Sequence, residues 1–137
     1  MLDPSVQLHA AIVAALKAVG ALPDVVGARV YDDPPTVPTF PYVTLGDCQV
    51  LPDKAACYDG TECYPIIDVW SRNPGYGEAK AIAAAVIAKL DDQTANIAMD
   101  GFAAVVFERH DYRTLRDPDG LTRRVNMTFR ALIQPTT

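Results

Sequence analysis

The chain has 137 residues, 50% hydrophobic and 21% charged, which suits a single domain over residues 1–137 with one core and argues against a second. No apolar run approaches the roughly 20 residues that span a bilayer, and the N-terminus lacks a basic segment with a small-residue cleavage site, so the chain reads as soluble, unexported and without a membrane partner. The net charge of −5 argues against a dedicated nucleic-acid binder, but it is uneven: residues 1–101 carry six basic against thirteen acidic side chains, net −7, and residues 102–137 six arginines against four acids, net +2.

Asp3 or Ser5 is placed to cap a first helix, on which Leu8, Ile12, Ala15, Leu16 and Val19 share one face and which Gly20 ends. His9 lies at the border of that face and reads as a half-buried histidine on a helix flank. The stretch "ALPDVVGARVYDD" predicts a turn of helix and then a brief strand around Val30. Pro34, Pro35, Pro38, Pro41 and Pro52 then rule out helix. They predict an extended arm leading to a strand near Tyr42, with Val43 and Leu45 on one face and Tyr42 and Thr44 on the other. "LPDKAACYDGTEC" reads as a polar connector with an Asp-Gly turn, and "YPIIDVWS" as the next strand.

A second helix follows, with Ala79, Ile82, Ala83, Val86, Ile87 and Leu90 on its core side. Its far side holds Ala81, Ala84, Ala85 and Ala88, where a water-facing helix normally carries charge. Helix propensity accounts for those alanines as well as close packing against another subunit does. The C-terminal third is two strands joined by Asp117-Pro118-Asp119-Gly120, a type I turn sequence. Along the last strand Val125, Met127, Phe129, Ala131 and Ile133 alternate with Arg124, Asn126, Thr128 and Arg130. The sum is an α+β fold: an antiparallel sheet of about four strands, two helices packed on one face, and a long C-terminal β-hairpin.

Few of these residues form a chemical motif. Cys48, Cys57 and Cys63 lack a CxxC pair or nearby histidines, which argues for free thiols and against a structural metal. Asn73-Pro74-Gly75-Tyr76-Gly77 precedes a helix, where free amides attract anions. Its glycines are followed by Glu78, Ala79 and Lys80 instead of the residues of a Walker or dinucleotide loop, and Glu78 sits where a phosphate would. Asp117, Asp119 and Gly120 resemble a calcium loop but lack its later glutamate. Asn126-Met127-Thr128 matches a glycosylation sequon in mid-strand, without a secretion signal. His110 and Asp111 should point to opposite strand faces; Glu108 shares the face of His110, where the two could form an acid-base pair, but a cross-strand partner such as Arg124 or Arg130 is the commoner fate. No nucleophile context is present, so neither an enzyme nor a cofactor is expected.

Three stretches carry a resemblance: "GARVYDDPPTVPTFPYVTLGD", "IDVWSRNPGYGEAKAIAAAVIAKL" and "FERHDYRTLRDPDGLTRRVNMTFRALI". In order and spacing the chain resembles the tail-completion, or tail-terminator, proteins of long-tailed bacteriophages and gene transfer agents. The resemblance implies a non-enzymatic virion subunit, assembled in the bacterial cytoplasm, that forms a ring, typically a hexamer, at the head-proximal end of the tail tube. Its implied partners are further copies of itself, the tail-tube protein and the head-tail connector or stopper. DNA would pass through its channel without specific binding.

Heterologous contacts of such a ring would use the alanine face, the arm from Asp32 to Pro41 with Pro34, Pro35 and Pro38, and the hairpin arginines Arg113, Arg116, Arg123 and Arg124. A solvated strand face accounts equally well for the arginines. The acidic surplus elsewhere suits a lumen along which DNA slides, because it offers no counterion-release gain. The alternative function is a small ligand- or nucleotide-binding module using the loop from Gly75 to Gly77.

Overall fold

The computed structural model describes residues 3–18, 20, 25–53 and 60–136. Helix α1, Ser5–Lys17, buries Leu8, Ala11, Ile12, Ala15 and Leu16, whose spacing makes one apolar stripe. Asp3 Oδ1 accepts the Ser5 N–H at 2.9 Å. The helix ends at Lys17, earlier than Gly20, because Ala18 is already extended while its N–H returns to the Ala15 carbonyl. Val19, expected on the core face, lies outside the described residues, as do residues 21–24 of the expected helical turn.

Strand β1, Val30–Tyr31, runs parallel to β2, Tyr42–Asp53. Between them the proline-rich arm crosses from one strand to the other, and Arg29 anchors its far end by donating from Nε to the Pro41 carbonyl at 2.9 Å. Strand β3 spans Gly60–Ser71, so Leu51–Asp53 and Gly60–Cys63, expected as connector, are paired strand. Only residues 54–59, including Cys57 and the Asp of the expected Asp-Gly turn, fall outside the described residues.

Helix α2, Gly77–Leu90, is followed by a 3₁₀ turn at Thr94–Asn96 and by β4, Ala98–Met99. Strands β5, Phe102–Arg116, and β6, Arg123–Pro135, form the C-terminal hairpin. Its turn has the expected i→i+3 bond, Gly120 N–H to the Asp117 carbonyl at 3.0 Å, and Gly120 takes φ +73°, a conformation that favours glycine.

Among the described residues the sheet therefore has six strands instead of about four, ordered β1-β2-β3-β6-β5-β4, and is mixed instead of purely antiparallel. Of the two margin strands, β1 is the brief strand expected around Val30 and β4 has no counterpart among the expected elements; each is two residues long and pairs only at its margin. One face of this sheet carries Val43, Leu45, Cys63, Ile67, Val69, Phe107 and the inward residues of β6 against both helices, in a single core. All five expected inward residues of β6 are buried.

Bulges break the alternation elsewhere. In β5 the register shifts between Arg109 and Asp111, so His110 is an extra residue and the expected opposition of His110 and Asp111 does not hold. His110 packs edge-on against Tyr64 on the helix-free face, at 5.2 Å, while Asp111 lies opposite Thr128 of that face. Glu108 meets its expected partner Arg130, Oε1 to Nη1 at 3.1 Å.

Phe107 and Phe129 stack at 5.4 Å in the middle of the core, each almost wholly buried. Phe129→Ala removes that contact and leaves a cavity, so chemical unfolding should show a loss of about 3–5 kcal/mol. A loss below about 1 kcal/mol would mean that the site is not packed as described.

Candidate assembly surface

Of the three surfaces expected to meet partners, the chain brings two together. The arm folds against the tip of the hairpin: Arg72, just past β3, lies 4.4 Å over the Phe40 ring and donates from Nε to Thr122 Oγ1 at 3.2 Å, with Asp119 Oδ2 3.7 Å away. Thr36, Val37, Pro38, Phe40, Trp70 and Asp117 help to enclose a cleft of about 310 Å³ there. Pro34 and Pro38 are half-buried, and Pro35 is exposed. Arg72 holds the arm to the hairpin tip and was not singled out in the sequence, because its partners are 32 and 50 positions away.

The alanine surface is separate. Ala81, Ala84 and Ala88 are exposed on α2, whereas Ala85 is half-buried and packs against the core. That helix starts without a side-chain cap. Glu78 in its first turn instead accepts the Ser71 hydroxyl at 2.8 Å, tying the end of β3 to the start of α2. The Gly75 to Gly77 loop is thus a strand-to-helix corner with an acid in the place where an anion would bind.

The arginines divide by role. Arg116 donates from Nε and Nη2 to the Gly120 carbonyl, and Arg123 from Nη1 to that of Leu121, so both brace the turn. Arg124 lies 5.0 Å over the Trp70 ring and 3.9 Å from Asp68, with its side chain 30% exposed. Burial raises the pKa of Asp68, while a hydrogen bond from Asn126 and the charge of Arg124 oppose that rise. Arg130 bridges Glu62 and Glu108 at 2.8 and 3.1 Å. Arg109, Arg113, bonded to Asp111 at 2.9 Å, and Arg116 are the exposed arginines of this hairpin.

A further cleft, of about 340 Å³, opens between α1 and the bulge of β2 and is lined by Val6, Leu8, His9, Ile12, Leu45 and Cys48 among others. Beside it Cys48 and Cys63 are free thiols, Cys48 exposed and donating to the Gln49 carbonyl, Cys63 buried, and they interact with one another. That interaction and burial push Cys63 up, and the same interaction lowers Cys48. No local pattern brings these two thiols together; they lie on paired strands next to a register shift between Leu45 and Cys48. Among the described residues there is no group of three or more side chains arranged to hold a metal.

Two comparisons bear on these surfaces. Residues 10–134 match the family described as "Tail completion protein gp17", and the chain belongs to that family. In structure it is similar to a chain of a solved particle titled "Virion of native gene transfer agent (GTA) particle", with 28% identity, a TM-score of 0.87, and 97% of this chain and 98% of that one covered. A search of curated proteins gave no match.

Asp119 caps the hairpin turn by accepting the Leu121 and Thr122 N–H groups and the Thr122 hydroxyl. Those bonds, Thr122's first, hold its carboxyl down at about 2. An unfolded aspartate ionises near about 3.9. The stabilisation is therefore present above about pH 4 and is lost as pH falls toward the folded value. NMR titration should show the Asp119 carboxyl changing near pH 2 with the turn loosening at the same point, and Asp119→Asn should remove that step. Titration of Asp119 near pH 4 would contradict the cap.

Proposed function

We propose that this chain is a non-enzymatic structural subunit that forms a ring, a hexamer in the simplest case, at the head-proximal end of a phage-like tail. In this reading the ring stops tube polymerisation, joins the tail to the head connector and leaves a channel for DNA. The observation that carries it is the family match over residues 10–134. Near-complete overlap with a chain of a gene transfer agent particle supports placement in a virion. Surface construction adds to this: the arm is tied to the hairpin tip and the alanines of α2 stand apart from it, so one subunit offers two different patches, as heterologous ring contacts require.

The half-buried arginines refine which residues belong to that surface. Reversing Arg123 and Arg124 would disturb the turn and the Trp70 stack as well as any partner. Ala84, exposed on α2, is a cleaner probe.

Particles made without this chain should accumulate filled heads and unjoined tails, some of them overlong, and purified protein should restore joining in a mixed extract. Ala84→Glu should unfold at the wild-type denaturant concentration and restore joining at least tenfold less well. Complete, DNA-delivering particles formed without the chain would overturn the reading.

A further inference from the structure

The margins of the sheet differ from its middle. Among the described residues, β2 is covered on its outer side only at Val43 and Thr44, by β1, so the stretch from Gly46 to Pro52 has no strand beside it. At the opposite margin β4 covers β5 only at Phe102 and Ala103. Asp92 donates its N–H to the Phe107 carbonyl and Asp91 accepts the Arg109 N–H, which closes the next stretch. From Asp111 to Arg116 no described strand lies along the outer side of β5. A long open edge left unpaired is a template for another strand.

The two open edges carry opposite charge. Along β2 the exposed charged residue is Asp47, with Asp32 and Asp3 nearby: Asp32 lines the adjoining cleft, and the charge of Asp3 acts on Cys48, which lines it too. Along β5 stand Arg113 and Arg116 against Asp111, with Arg109 and His110 just before them. The β2 edge also has a pocket beside it, the cleft between α1 and the bulge, with Val6 77% exposed at its mouth. Strand addition draws affinity from main-chain hydrogen bonds along such an edge and specificity from side chains entering such a pocket.

We infer that the open edge of β2 receives the Asp111–Arg116 edge of β5 from a second copy of this chain. This deepens the ring reading and rests on it. The two edges lie at opposite margins of one sheet, so the contact is heterologous and each copy that accepts a strand also offers one. Because β2, β3, β6 and β5 alternate in direction, rotation about an axis near the strand direction brings β5 against the neighbouring β2 antiparallel.

Register sets one further condition. Thr114 is level with Val43 and Phe107 with Val50, so the two open stretches are offset by about five residues. That is roughly 17 Å along the strands, against about 19 Å across the four long strands from β2 to the next copy's β2. Pairing them inclines the strands by about 40° to the rotation axis, within the inclination typical of closed sheets.

Disulfide trapping tests this on assembled protein. In chains with Cys48→Ser and Cys57→Ser, Asp47→Cys or Gln49→Cys is combined with Arg113→Cys or Leu115→Cys, and oligomer size is measured in parallel by native mass spectrometry. A ladder from dimer to closed ring on non-reducing gels, absent from each single variant, is the expected result. Asp47→Arg should weaken assembly at least tenfold and Arg113→Asp should restore it in the same chain. Oligomers that form normally but trap at none of the four combinations would overturn the edge pairing and leave the ring reading standing. Trapping to a tail-tube or connector protein instead would assign the β2 edge a different occupant and overturn it too. A chain that stays monomeric at all concentrations and on tails would overturn both.

Discussion

The pairing of β3 with β6 is the constraint on which the rest of the fold depends. These strands lie more than fifty residues apart in the chain yet form the middle of the sheet, with Ile67 opposite Met127 and Val69 opposite Val125, all fully buried. Both remaining long strands register on this pair, β2 on β3 and β5 on β6, and the helices cover its inner face. A slip of one residue would turn Asp68, Arg130 and Glu62 toward the helices and the core residues toward water, which is why the register is single-valued.

The helix-free face repeats that register in polar form. Opposite positions there are Asp68 with Asn126 and Trp70 with Arg124, and Arg130 reaches Glu62 from one position along and Glu108 directly across. These half-exposed ion pairs add little stability, since solvent screens them and long side chains must be ordered to make them. Their stronger effect is on specificity: Arg124 Nε is buried without a hydrogen-bond acceptor and Asp68 ionises less readily than an exposed aspartate, so each tolerates its place only with the other close by.

Residues whose surroundings are repeated along the chain were the legible ones. Strict alternation in β6 and the i, i+4 stripes of both helices predict their buried faces almost residue for residue, as does the turn sequence at Asp117 to Gly120. What depends on two distant segments was not visible. The bulge beside Cys48, the seating of Phe40 under Arg72, and the division of the arginines into braces and open cations all follow from contacts across the sheet that no local pattern encodes. The margin strand β4 was missed for a related reason, because a pair of residues has no period, whereas the brief strand expected around Val30 is β1.

The same division decides how a small domain of this kind can serve in an assembly. Its longer side chains are largely committed internally: Arg116 and Arg123 to turn carbonyls, Arg124 to an indole, Arg130 to two carboxylates. What remains for partners is backbone at the margins, a smooth alanine surface and a few open charges. Such surfaces order few rotamers on association, so each contact loses little entropy, and shape and register instead of a chemical key decide what fits. Recognition by geometry confines such a subunit to places where its neighbours in an assembly have already set the geometry.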